Sequence, residues 1–239
     1  MINYKIFSSS ADQIKDANQF KGLPLYRFFR TSEHAQTLLD GKVWISTLQK
    51  CREFECAQQG DPDEGSSTFE QELLVIENRY ITEEDYQTAL HAGIRISPPG
   101  TFHPGRIVLQ NNKRVTRLPN GFLLCTTNTP SSLQAQSNEW KYGVEIGLRP
   151  SKFFELLTDA IHEHNIPIMS RSHAWADYDT SRIYRDYRQP PQNLAFIKPD
   201  LHRAQSEYRF FWEAPYGYEY PDGLLIECPE IKPFLKKIY

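Results

Sequence analysis

Three short segments carry side chains that could do chemistry together, although they lie far apart in the 239-residue chain. They are Leu25-Tyr26-Arg27, Trp44-Ile45-Ser46-Thr47 and Gln205-Ser206-Glu207-Tyr208-Arg209-Phe210-Phe211. Arg27 offers a planar set of N–H donors that matches a phosphate or ribose oxygen better than a point charge does. Ser46 and Thr47 add hydroxyls that orient neighbours without adding charge. Glu207 as a carboxylate can accept from a sugar hydroxyl and stabilise positive charge growing at an anomeric carbon. Preorganised charge of this kind is usually the largest catalytic contribution, and glycosidases set carboxylates against the same type of transition state.

Taken singly, each residue has an ordinary reading. Arg27 alternates with aromatics and fits an edge-strand surface residue; Ser46 and Thr47 fit any strand end. Glu207 fits an exposed acid paired with a neighbouring strand. Their order along the chain favours the joint reading. Lys198 and Trp140 are further candidates for the same cleft, with a core role the alternative for Trp140.

The stretch from Arg182 to Arg209 holds Arg182, Arg185, Arg188, Lys198, Arg203 and Arg209, interleaved with Tyr184, Tyr187, Phe196 and Tyr208. Cations with stacking rings suit single-stranded nucleic acid, and Arg185 and Arg188 would grip its backbone. A solvated basic face is the alternative. No metal is expected. His162 and His164 are two apart on a helix and cannot share a face. Cys51, Cys56, Cys125 and Cys228 lack CxxC spacing and read as reduced, mostly buried thiols.

The elements that must position these groups are short. Leu25–Arg30 reads as a strand by aromatic content. Ser32 caps a helix over Glu33–Leu39, and Gly41 lies past its end. Val43–Ser46 is the next strand; Phe69–Ile76 is a strand or a short helix. Thr82, followed by Glu83, Glu84 and Asp85, starts a helix to about His91. Arg106–Gln110 and Arg114–Leu118 flank Asn111-Asn112 and read as a hairpin. Gly121–Thr126 and Tyr142–Leu148 are strands, and Pro150 opens an amphipathic helix ending near His164. Ser206–Trp212 and Leu224–Cys228 are late strands. Loops fall at Gln58–Thr68, Asn128–Asn138 and Gln189–Asn193. The sum is α+β without βαβ alternation, and no glycine-rich phosphate loop is present, which excludes a Rossmann or P-loop fold.

Hydrophobic residues make up 39 % of the chain and charged ones 24 %, which excludes a disordered class. A chain of this length buries roughly 70 % of its unfolded surface, and no internal linker divides it, so one domain over residues 1–239 is expected. The formal charge of −3 gives no global basic field. Acids nevertheless gather between Glu53 and Asp85 and arginines between Arg182 and Arg209, a split that lets a near-neutral protein present one cationic face. The N-terminus lacks a signal-peptide core, and no stretch approaches 18 apolar residues, so no membrane is expected and the cytoplasm is the default.

The three segments together resemble the ADP-ribosyltransferase superfamily, in its toxin-like branch with an Arg–Ser/Thr–Glu signature. There an LYR strand is followed by a helix and a Ser-Thr strand, and a late strand opens on a glutamate. The SEYRFF strand is similar to the catalytic-glutamate strand of poly-ADP-ribose polymerases. LYRFF, GKVWIS, DPDEG, LLCTT, EWKYG–EIG and Lys198 before EYRFF also resemble a family of uncharacterised bacterial proteins that accompany phage-defence or toxin loci.

The resemblance implies an ADP-ribosyltransferase-like split β-sheet core with short peripheral helices and an activity on NAD as substrate, without a metal. It implies Glu207 as the catalytic residue and Arg27, Ser46, Thr47, Trp140 and Lys198 around NAD. Gln205 stands where arginine-modifying members carry a second glutamate, which implies an amide-bearing or nucleobase acceptor; a solvated loop residue is the alternative. The implied role is an intracellular toxin or anti-phage effector modifying RNA, or else DNA, with a cognate antitoxin as partner. An NAD glycohydrolase and a non-catalytic nucleic-acid- or protein-binding module are the rival readings.

Overall fold

The computed structural model describes residues 24–53, 61–130, 139–218 and 223–238. In chain order these form β1 (Leu25–Phe29), α1 (Ser32–Leu39), β2 (Lys42–Thr47), α2 (Leu48–Glu53), β3 (Ser66–Tyr80), α3 (Glu83–His91) and β4 (Phe102–Arg117). Then come β5 (Gly121–Thr127), β6 (Tyr142–Ile146), α4 (Pro150–Glu163), β7 (Ser170–Trp175) and β8 (Ile183–Tyr184). A 3-10 turn over Asp200–Gln205 leads into β9 (Glu207–Glu213). It is followed by β10 (Leu224–Glu227), a second 3-10 turn over Pro229–Phe234, and β11 (Leu235–Lys237). The fold is α+β, with one eight-stranded and one three-stranded sheet among the described residues.

The larger sheet divides at β5. One whole edge of β5 is taken by β9, from Gly121↔Glu213 to Thr127↔Glu207. The other edge is shared: β2 pairs at Ser46↔Leu123 and Thr47↔Phe122, and β1 pairs only at Tyr26↔Thr127. From there β2 leads to β10, β1 leads to β6 and β11, and β7 lies outside β9. A divided sheet leaves a place where side chains from diverging strands face one another.

β9 is buried on both faces, which explains its near-continuous aromatic run. Tyr208, Phe210 and Trp212 join the main core, where Phe153, Phe154, Leu157 and Ile161 form the buried stripe of α4. Trp212 Nε1 donates to Thr158 Oγ1 at 2.9 Å, so its one polar atom is satisfied. On the other face Phe211 joins Leu48, Leu123, Ala195 and Phe196 in a smaller cluster. Glu207 and Arg209 share that second face by strand alternation.

The three-stranded sheet orders β4-β3-β8. Residues 106–118 do not form the expected hairpin. Residues 106–117 belong to one long strand, β4, which pairs with β3 from Ser66↔Arg117 to Tyr80↔Phe102, and Leu118 lies just past its end. Asn111 takes φ 54, but only as an interruption between Gln71↔Asn112 and Leu73↔Gln110. Apolar alternation continues on both sides of Asn111-Asn112 because both halves face the same partner strand. Phe69–Ile76 is strand, and Ser66–Thr68, expected as loop, begins it.

Smaller boundaries also differ. α1 is capped by Thr31, whose Oγ1 accepts from the His34 N–H at 3.3 Å, and Ser32 is already helical. The Thr82 start is as expected, with a reciprocal capping box to Asp85. α2 and β7 carry mixed polar sequences with no clear period. Cys56, residues 58–60 and residues 131–138 of the expected loops lie outside the described residues. No helix among the described residues is long and apolar enough to cross a membrane.

Candidate active site around Glu207

Ser206 closes the 3-10 turn in the left-handed region, at φ 45, and its Oγ donates to Asn128 Oδ1 at 2.8 Å. A non-glycine residue there costs about 1–2 kcal/mol. The turn makes Glu207 the first residue of β9, level with Thr127 at the end of β5. The Glu207 backbone N–H donates to the Tyr178 hydroxyl at 3.0 Å. Burial, then the charge of Glu207, pushes that phenol up to about 12, so it stays protonated.

Both carboxylate oxygens of Glu207 are held. Lys198 Nζ donates to Oε1 at 2.5 Å and Arg209 Nε donates to Oε2 at 2.9 Å. Burial alone would raise the pKa of this carboxyl; the Lys198 ammonium and the Arg209 guanidinium outweigh it and hold the group at about 2. Glu207 is therefore an anion across the physiological range, and an immobile one.

Arg209 is fully buried, which is tolerable only because its donors are used. Nη1 and Nη2 donate to the two oxygens of Glu64 at 2.8 and 3.0 Å, and Nη1 also donates to the Ala195 carbonyl at 2.6 Å. Arg182 extends the chain of charges. It pairs with Asp61 at 2.7 Å and Glu64 at 3.3 Å and donates to the Ile197 carbonyl. Asp61, Glu64 and Glu207 thus face Arg182, Arg209 and Lys198, three acids against three bases.

Lys198 is brought in by a parallel bridge between Asp177 and Ile197, its own N–H donating to the Asp177 carbonyl at 2.9 Å. Its ammonium also donates to Gln205 Oε1 at 2.6 Å. Gln205 is buried, and its amide nitrogen lies 3.4 Å from Nδ1 of His202. It is not a solvated loop residue: its side-chain oxygen accepts from Lys198 inside the site.

Arg27 lies at the opposite edge of β5. The register sets Tyr26 level with Thr127 and Glu207, two strand spacings or roughly 10 Å across the sheet. Arg27 follows one place along, and its Nη2 reaches over the division to donate to the Trp44 carbonyl of β2 at 2.8 Å. Its guanidinium lies over the Phe29 ring, 5.3 Å from the centroid. Burial lowers its pKa to about 10, with a small opposing effect from Cys125. No acid among the described residues forms an ion pair with it.

Ser46 Oγ is buried beside the Cys51 thiol, whose rise in pKa its hydrogen bonding partly offsets. Thr47 turns away to cap α2, its Oγ1 accepting from the Lys50 N–H at 3.1 Å. Trp140 is half-buried beneath Arg30, 5.5 Å from ring centroid to guanidinium carbon, at the far end of β1. Cys51 and Cys125 carry pKa values pushed up by burial, Cys51 to about 12, so neither is a reactive thiolate.

The arginine-rich stretch does not present an unpaired cationic face. Arg185 pairs with Glu70 and Glu72, Arg188 with Glu84, and Arg203 with Asp179 and Asp200. Arg182, Arg185, Arg188 and Arg209 are thus neutralised by acids of residues 61–84 across the molecule, and Arg203 by acids near it in sequence. Asp61, Glu64, Tyr178, Arg182 and Arg209 belong to the site and were not among its expected residues. The DPDEG motif, which holds Asp61 and Glu64, was the available signal. Two surface clefts, of about 430 and 370 Å³, lie on α1 and beside Arg185 and Arg188, away from Glu207. No group of three His, Cys, Asp or Glu side chains among the described residues is arranged to hold a metal ion.

No family model, curated protein or solved structure matches this chain.

Proposed function

We propose that the chain cleaves the nicotinamide–ribose bond of NAD and passes ADP-ribose to an acceptor. Arg27 holds the pyrophosphate and Glu207 stands against the ribose. One contrast carries this reading: Glu207 is an ionised, fixed carboxylate, whereas Arg27 is a half-buried guanidinium with no acid partner among the described residues. Partial desolvation of a charge without a counter-charge is unfavourable, and a bound pyrophosphate would supply one. The division of the sheet at β5 is read as the ADP-ribosyltransferase-like split.

In the reaction the C1′–N bond breaks and nicotinamide leaves with the electron pair. Glu207 stabilises the oxocarbenium-like carbon, and a lone pair of the acceptor closes the new bond while its proton passes to solvent. The role as toxin or anti-phage effector, and RNA or DNA as acceptor, rest on the order of motifs and on the composition of residues 182–209.

A second reading, NAD glycohydrolase, is favoured by the burial of Gln205. With its amide turned to Lys198 and His202, that side chain does not orient an acceptor, and water needs none. Incubation with adenylate-labelled NAD and separate pools of RNA, DNA and protein tests both. Nicotinamide release with label on a polymer supports transfer, and release without label supports hydrolysis. Absence of release sinks both and leaves a binding module.

A further inference from the structure

We propose that Glu64 is a positioning residue for Glu207: by taking both terminal nitrogens of Arg209, it keeps Glu207 anchored yet able to accept one more hydrogen bond. The proposal rests on the reading of Glu207 as the group that meets the ribose. Two carboxylates compete for one guanidinium, and the two-pronged arrangement is the stronger for either. Glu64 holds it, at 2.8 and 3.0 Å, and Glu207 receives only the Nε–H.

The turn that carries Glu64 explains the outcome. The Glu64 N–H donates to the Asp61 carbonyl at 2.8 Å, and Asp61 Oδ1 accepts from the Asp63 N–H at 3.2 Å. Arg52 Nε donates to the Glu64 carbonyl at 2.7 Å. Gly65, at φ 64, continues the chain where a Cβ would stand 3.2 Å from a Leu48 methyl. Arg182 holds the Glu64 side chain from the other side. Glu64 is thus fixed at 2 % exposure before Arg209 is shared out.

Without the Glu64 charge, Glu207 would be the one carboxylate left in contact with Arg209. The terminal nitrogens would turn onto it, and with Lys198 already on Oε1 most of its acceptor positions would be filled. A ribose hydroxyl would then have to compete for the position that remains, although Arg27 would still bind the other end of the ligand. Removal of Glu64 should therefore act on turnover and spare binding.

The test is Glu64→Gln, read by steady-state nicotinamide release and by a crystal structure of the variant. The expected result is a kcat about 10- to 100-fold lower with KM changed less than about threefold, and Arg209 turned onto Glu207. An unchanged kcat, or a rise in KM alone, overturns the proposal. If the unsubstituted protein releases no nicotinamide, the proposed function fails. The positioning role is then decided by the variant's structure: Arg209 turned supports it, Arg209 unmoved overturns it. If Glu64→Gln does not fold, Glu64→Asp keeps the charge but withdraws it by one methylene. Its kcat should fall about three- to tenfold at constant KM, and full turnover overturns the proposal.

Discussion

Arg209 donates through both terminal nitrogens to Glu64 and through Nε alone to Glu207, so one buried guanidinium serves two carboxylates unequally. Glu207 consequently has a structural duty as well as a proposed chemical one.

Glu207→Gln should lower NAD turnover by about 10²–10³, the usual loss when a charge stabiliser is removed. It should also destabilise the fold, because Lys198 and Arg209 lose their shared anion; breaking a buried pair costs about 3–5 kcal/mol. Nicotinamide release and urea unfolding measure the two effects. A variant that keeps most of its turnover would move the chemistry to another residue.

Arg27 should behave in the opposite way. Replacing it with Met removes a half-buried cation that has no acid partner among the described residues, so the urea midpoint should hold or rise while NAD use collapses. Arg27→Lys should fail nearly as badly, since a point charge does not reproduce the planar donor set. A strongly destabilised Arg27→Met, or an Arg27→Lys with full activity, would show that the guanidinium is structural or that charge alone suffices.

Acid should weaken the fold through two carboxylates. Burial would raise Glu207, but Lys198 and Arg209 bring it from an ordinary 4.5 to about 2. Hydrogen bonding to Arg79, against burial and with help from Thr82, brings Asp85 from 3.8 to about 2. Both pKa values are lower in the folded state. Their stabilisation is therefore complete above the unfolded values and is lost as pH falls through about 2. The urea midpoint should decline as pH drops below about 4.5. Asp85→Asn should lower it at pH 7 and converge with the unsubstituted protein near pH 2. Equal midpoints at pH 7 would refute the assignment to Asp85.

If single-stranded RNA is the acceptor, freeing its cations should strengthen binding. Glu84→Gln releases Arg188, and Glu72→Gln removes one of the two acids on Arg185. Both substitutions should raise affinity for a labelled RNA oligonucleotide. Arg188→Gln should lower it and flatten the log–log salt slope by about 0.7 for each lost phosphate contact. Affinity indifferent to all three would remove this face from the acceptor path.

The sequence made the strands legible where composition and packing agree. LYRFF, KVWIS and EYRFFW are strands rich in aromatic and β-branched residues; the last is buried on both faces, whereas in KVWIS Val43 and Ile45 are buried and Lys42 and Trp44 exposed. It misled at Asn111-Asn112, where turn residues sit inside a strand continued by its partner. It also misled at residues 182–209, where one-dimensional clustering suggested a cationic face. Whether a charge is free depends on what the fold sets beside it, and the partners of Arg182, Arg185, Arg188 and Arg209 lie more than a hundred residues earlier in most cases. The burial of Gln205 was hidden for the same reason, since its partner Lys198 reaches it only through the bridge to Asp177.

Ser66 opens β3 two residues after Glu64, and Ile183 opens β8 immediately after Arg182. The three-stranded sheet is therefore riveted to the eight-stranded one through the guanidinium that steadies Glu207. Any shift of the β3–β4 ribbon against the larger sheet would have to be taken up at the Glu64–Arg209 pair.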